Sequence, residues 1–117
     1  FDYRELAELG AADIFQPDLA ICGGITEAMR IGAIASAWNL RLAPHLWTGA
    51  LAFSAGVHVA AASPAGWILE YSLGANPMLH ELVEESFEIQ DGSIEISDRP
   101  GLGVTVKESF VERYAIV

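Results

Sequence analysis

Ala12-Asp13-Ile14-Phe15-Gln16-Pro17-Asp18 is the stretch from which the fold is read. A short apolar run is stopped by a proline, and a carboxylate stands just past the stop. Such a run is too short for a helix, and its proline removes a ladder donor, so it predicts a buried strand over residues 12–16. The same arrangement returns twice. Leu40-Arg41-Leu42-Ala43 runs into Pro44 and His45, and Trp67-Ile68-Leu69 runs into Glu70. Between the first two runs, Gly23-Gly24 marks a tight loop, and a helix is expected from Gly24 or Thr26 to about Trp38. Its apolar face would carry Ile25, Met29, Ile31, Ile34, Ala35 and Trp38. Between the second and third runs, residues 50–62 read as an Ala-rich helix able to pack closely on a sheet, and Ser63-Pro64 ends it. Upstream, residues 2–9 have near-helical spacing and stop at Gly10.

Strands that are continuous apolar runs, separated by helices, imply a parallel sheet covered on at least one face. Beyond residue 75 the pattern changes. Asn76-Pro77 is a cap and first-position pair for a short helix over Met78 to Glu84. Phe87-Glu88-Ile89-Gln90 and Ser93-Ile94-Glu95-Ile96 alternate apolar with polar around Asp91-Gly92, a strong hairpin signal. A turn-rich stretch, 99–103, leads to a last strand or helix within 104–117.

The chemistry is carried by what stands at the strand ends: Asp18, His45 and Glu70, spaced by 27 and 25 residues, about one strand–helix unit each. In a (β/α) barrel these ends converge on one mouth. Each residue has a plainer reading as well. Asp18 could cap a turn, His45 could be a satisfied core histidine, and Glu70 could be a solvated loop carboxylate. Together they offer more. A carboxylate that accepts the proton of one imidazole nitrogen fixes the tautomer and aims the other nitrogen at a substrate. A glutamic acid in an apolar mouth can hold its proton and donate to a developing oxyanion. Trp47, two residues past His45, is a candidate substrate-pocket wall, with a core tryptophan the equal alternative. His58 reads as a structural residue on the Ala-rich helix, and His80 as part of a solvated helix face among Glu81, Glu84 and Glu85.

Composition narrows the function further. The 117 residues are 52% hydrophobic and carry a formal net charge of −10, from 16 acidic against 6 basic residues. So acidic a chain lacks the cations that displace counterions from nucleic acid or dock on anionic membranes. No apolar stretch is long enough for a membrane span. Cys22 is the single cysteine, which excludes an internal disulfide and a thiolate metal cluster, and it fits a reducing, cytoplasmic compartment. Neither Gly23-Gly24 nor Gly101-Leu102-Gly103 completes a dinucleotide fingerprint, and Ser54 lacks the context of a serine nucleophile. The first residue is Phe rather than Met, so processing or excision from a longer protein is expected, and apolar excess fits faces that other strands would cover.

Asp13-Ile14-Phe15-Gln16-Pro17-Asp18, followed four residues later by Gly23-Gly24-Ile25-Thr26, closely resembles the sixth-strand region of the enolase superfamily. Ala43-Pro44-His45 and Leu69-Glu70 resemble its seventh and eighth strand ends. Residues 98–104 resemble the segment that returns to an N-terminal capping domain. Asp then His at the two strand ends is similar to the mandelate racemase subgroup; the muconate-lactonizing relatives tend to have Lys in place of Asp18.

The resemblance covers essentially the whole chain. It implies an α/β fold: the last three strand–helix units of a (β/α) barrel over 1–75, and a helix and hairpin tail over 76–117 that contacts the capping domain. It implies a Mg²⁺-dependent acid-sugar dehydratase that abstracts the proton α to a carboxylate through an enediolate. A racemase or epimerase of a 2-hydroxy acid is the alternative, and a non-catalytic remnant is the reading if the chain is complete. His45 would be the general base, Asp18 its orienting partner and Glu70 the donor to the enediolate. The metal ligands would come from earlier strands absent here, so the piece alone is expected to be inactive and marginal or self-associating. The whole protein would be a homo-oligomer acting on a small carboxylate.

Overall fold

A computed structural model describes residues 2–116. In chain order it contains α1 (Asp2–Glu8), β1 (Ile14–Phe15), α2 (Gly24–Ala37), β2 (Arg41–Leu42), α3 (Ala50–Ala62), α4 (Pro77–His80), β3 (Ile89–Gln90), β4 (Ser93–Ile94) and α5 (Glu108–Tyr114). β1 and β2 pair in parallel, Ile14 beside Arg41 and Phe15 beside Leu42. The ladder extends beyond these short strands. Arg41 N–H donates to Asp13 O at 3.1 Å, Ala43 N–H to Phe15 O at 2.9 Å, and His45 N–H to Pro17 O at 3.1 Å. Pro17 and Pro44 interrupt regular pairing because neither has an N–H to give; both are fully buried instead.

The sheet lies against α2, and α3 packs on α2. α2 buries Ala28, Ile31, Gly32 and Ala35, one face at helical spacing. That face is built of smaller residues than the expected one. Ile25 and Trp38, placed on the apolar face from sequence, are 45% and 44% exposed. α3 spans the residues expected and is buried on most sides, as a helix apolar all round must be. Gly56 allows its close approach: a Cβ there would stand 2.1 Å from Leu46 Cδ2.

The third run departs from expectation. Residues 67–69 form no strand; contact with β2 is one parallel bridge, Leu42 to Gly66, with Leu42 N–H on Ala65 O at 2.7 Å and Trp67 N–H on Leu42 O at 3.0 Å. Among the described residues this segment has a backbone neighbour on one side only, so half of its groups have nothing to pair with. Gly66 seats it against α3, since a Cβ would fall 1.9 Å from the Ala60 carbonyl oxygen.

The tail winds back onto α3. Asn76 caps α4 by accepting from Leu79 N–H, but the helix stops at His80 rather than Glu84. Instead, Val83 bridges Val106 antiparallel, with Glu84 N–H on Thr105 O and Lys107 N–H on Leu82 O, both 2.9 Å. The last segment is therefore extended at Val106 and helical in α5. Asp91 and Gly92 both take positive φ, as a tight hairpin turn requires. Phe87 packs edge-on against Phe53 of α3 at 4.6 Å, and Ser54 donates to Leu102 O. Phe110 of α5 closes a second small core with Ala50, Leu82 and Val83.

Candidate active site

The β1–β2 register continues past both prolines to an isolated parallel bridge between Asp18 and His45. The two are 27 residues apart, the same offset as Ile14 to Arg41 and Phe15 to Leu42. Side chains paired in parallel strands share a face, so one register brings the carboxylate to the imidazole. Asp18 Oδ2 lies 2.8 Å from His45 Nδ1. The Asp18 side chain is only 8% exposed, whereas that of His45 is 43% exposed.

Three donors meet the Asp18 carboxylate. Ala20 N–H donates to Oδ1 at 2.7 Å, while His45 Nδ1 and the Thr48 hydroxyl, at 3.1 Å, share Oδ2. Burial on its own would raise the pKa of Asp18. The hydrogen bonds from His45, Ala20 and Thr48 together outweigh it and hold the group below its ordinary value. An ionised carboxylate only accepts, so the proton of the pair belongs on His45 Nδ1 and the lone pair on Nε2.

Glu70 joins the pair by another route. Its Oε2 accepts from Leu46 N–H at 3.2 Å, 24 residues away, the offset of the Leu42–Gly66 bridge. The carboxylate thus takes the ladder position that a backbone carbonyl would fill. It stands 4.0 Å from His45 Nε2, outside hydrogen-bond reach. Asp18, His45 and Glu70 therefore converge in the order carboxylate, imidazole, carboxylate, with Nε2 on the Glu70 side of the ring.

Trp47 is 64% exposed, so it is no core tryptophan. It is held upright from two sides: its Nε1–H donates to Ser72 Oγ at 3.2 Å, and its carbonyl accepts from Asn76 Nδ2 at 3.0 Å. Cys22 borders the same concavity as Asp18 and His45; burial pushes its thiol up, which keeps it protonated. His58 and His80 stand apart from the site. Their Nε2 atoms lie 3.4 Å from Leu102 O and 3.2 Å from Gly74 O. Thr48 went unmarked in the sequence reading; its hydroxyl three residues past His45 was the available signal.

Among the described residues, no three His, Cys, Asp or Glu side chains gather so as to hold a metal ion. Both oxygens of Asp18 are already engaged by donors. The residues present do not fit a Mg²⁺ site. Among the described residues, no helix is long and apolar enough to cross a membrane.

Residues 1–110 match the family model described as enolase C-terminal domain-like. The chain is 37% identical over 114 residues to an arabinonate dehydratase of Saccharolobus solfataricus, covering 97% of this chain and 30% of that protein. It is 34% identical over 119 residues to a D-galactonate dehydratase of Xanthomonas campestris pv. campestris, covering 97% and 31%. A solved mandelate racemase/muconate lactonizing enzyme from Sulfitobacter sp. superposes with TM-score 0.87 at 33% identity, over 97% of this chain and 28% of that one. An enolase from Agrobacterium radiobacter with bound Na and L-malate superposes with TM-score 0.86 at 33% identity, over 96% and 32%. The chain thus spans about 30% of the length of the curated relatives it matches.

Proposed function

We propose that this chain, which belongs to the enolase C-terminal domain-like family, is the proton-transfer end of an acid-sugar dehydratase barrel. The observation that carries the reading is the 2.8 Å Asp18–His45 pair at adjacent strand ends, with Nε2 on the ring edge away from Asp18 and 4.0 Å from Glu70. His45 Nε2 takes the proton α to the substrate carboxylate, and the electron pair passes into the carboxylate as an enediolate. The β-hydroxyl leaves as water with the proton from Nε2. The resulting enol loses its hydroxyl proton as the former β carbon gains one, and so becomes a 2-oxo acid. Asp18 stabilises the imidazolium and its orientation throughout. Glu70, whose Oε1 is left free by the Leu46 contact, faces the enediolate oxygen. Trp47 forms one wall for the sugar chain.

The sugar-acid class is supported by the dehydratase relatives, and the L-malate held by the Agrobacterium enolase shows a small hydroxy acid bound in a related fold. In this reading residues 1–75 close the barrel and residues 76–117 meet a capping domain. The exposed Ile68 and Trp67 on the unpaired segment suit coverage by further strands. Mg²⁺, which members of the superfamily use, would be held by residues outside this chain. A cytoplasmic homo-oligomer completes the proposal.

The test is to supply acid sugars to the whole protein in deuterated water with Mg²⁺. Water loss giving a 2-oxo acid supports the dehydratase. Deuterium exchange from both configurations without water loss would replace it with the racemase or epimerase. Absence of both would remove the catalytic reading.

A further inference from the structure

The geometry points to Thr48 as a positioning residue that holds the Asp18 carboxylate on His45 Nδ1 and so keeps Nε2 the unprotonated nitrogen. The inference deepens the proton-transfer reading above and rests on it for its catalytic consequence. Asp18 has two oxygens and three donors. Oδ1 accepts from a backbone N–H, that of Ala20, at 2.7 Å, which holds one end of the planar carboxylate. Oδ2 is fixed by two groups, His45 Nδ1 at 2.8 Å and the Thr48 hydroxyl at 3.1 Å. Without the hydroxyl, the imidazole would be the only donor on the oxygen that is meant to orient it.

Thr48 is well placed for this. It follows β2 by six residues, just before α3 at Ala50, so its backbone is tied to the strand end that carries His45. Its hydroxyl must donate, because an ionised carboxylate offers only lone pairs. Donation also spreads the negative charge of Oδ2 over two acceptor bonds and favours the ionised form of Asp18. The titratable groups around Asp18 are His45 from the β2 end, Tyr3 from α1 and Cys22 from the loop before α2. Of these, His45 donates a hydrogen bond to Asp18; Tyr3 and Cys22 do not shift Asp18, and both are raised mainly by burial, with the Asp18 charge adding to it.

The experiment compares Thr48→Val, which keeps shape and removes the donor, with Thr48→Ser, which keeps the donor, in the whole protein. The first readout is the ¹⁵N spectrum of the His45 ring, which reports the tautomer without any turnover. Thr48→Val is expected to mix the two tautomers, and Thr48→Ser to retain the Nδ1-protonated one. The second readout is kinetic. Thr48→Val should lower kcat about ten-fold with KM little changed, the scale of one hydrogen bond to a charged group. It should also move the acid limb of the pH profile upward, as Asp18 loses a donor. Thr48→Ser should restore both. A ring spectrum unchanged in Thr48→Val would overturn the assignment. If the wild type turns over no acid sugar but the tautomer still responds to Thr48→Val, the positioning role stands and the dehydratase reading is what fails.

Discussion

The β1–β2 edge and the 67–70 segment are two strand ends that deliver side chains to one mouth with different accuracy. On the first, a ladder from Asp13 to His45, gapped only at Pro17 and Pro44, holds one offset, and the two side chains it delivers meet at 2.8 Å. On the second, one bridge at Gly66 is followed by unpaired backbone, and Glu70 stops 4.0 Å from the same imidazole. Successive bonds along one register leave little freedom for the side chains they carry. A segment bonded at one point is placed by whatever side chain reaches across, which here is the Glu70 carboxylate on Leu46 N–H. The order of the site thus follows the order of its backbone.

The most damaging way to break the ordered edge is Asp18→Asn. An amide can present its NH₂ to Nδ1 and favour the wrong tautomer, so turnover in the whole protein should fall by about 10³-fold, within the range for general acid–base groups. Steady-state kinetics on the acid sugar checks it, and a loss below ten-fold would detach the pair from the chemistry.

Next comes the weaker edge itself. Gly66→Ala puts a Cβ against the Ala60 carbonyl, a backbone atom that cannot swing aside. It should cost about 3 kcal/mol, the upper part of the overpacking range. Gly56→Ala meets only the Leu46 side chain and should cost less. Denaturant midpoints of the two variants compare them directly; equal losses would mean that the seat of the 67–70 segment is no tighter than that of α3.

Glu70→Gln sharpens the comparison at lower cost. The amide keeps an oxygen for Leu46 N–H and a donor for the substrate, so kcat should fall by about ten-fold, less than loss of an oxyanion donor outright. A loss as large as that of Asp18→Asn would show the two edges to be equally exacting.

The smallest effect is on acid stability. Asp18 is held below its ordinary value of 3.8, so the folded chain binds its proton less readily than the unfolded one. The stability this contributes is complete above that value and is lost as pH falls through the lower folded value. Unfolding followed between pH 5 and pH 2 should show a steeper loss in the wild type than in Asp18→Asn. Parallel curves would mean that the three donors do not favour the ionised form.

Much of this was legible in the residues. Pro17 and Pro44 end the regular strands, because a residue without an N–H leaves a gap in the ladder, and Asp18 and His45 follow at once. Asp91-Gly92 announced the hairpin because few residues other than Gly and Asn or Asp take positive φ cheaply. Ala and Gly in 50–62 announced a close-packed helix. Less was legible where partners decide. An apolar run such as Trp67-Ile68-Leu69 has the composition of a strand, but a strand exists only when a neighbour supplies its bonds. Met78 to Glu84 has helical composition, yet Val83 and Glu84 are drawn into pairing with 105–106, far along the chain.

The sequence by itself determined the elements bounded by proline, glycine and apolar period, and the three ionisable residues that follow the strand runs, because those signals act through a residue's own backbone and its near neighbours. Only the tertiary structure decided that Asp18 and His45 share a hydrogen bond while Glu70 stands off, that Trp47 is open rather than buried, and that Thr48 reaches the carboxylate. Those are distances across the sheet, and they depend on register, which no single residue carries.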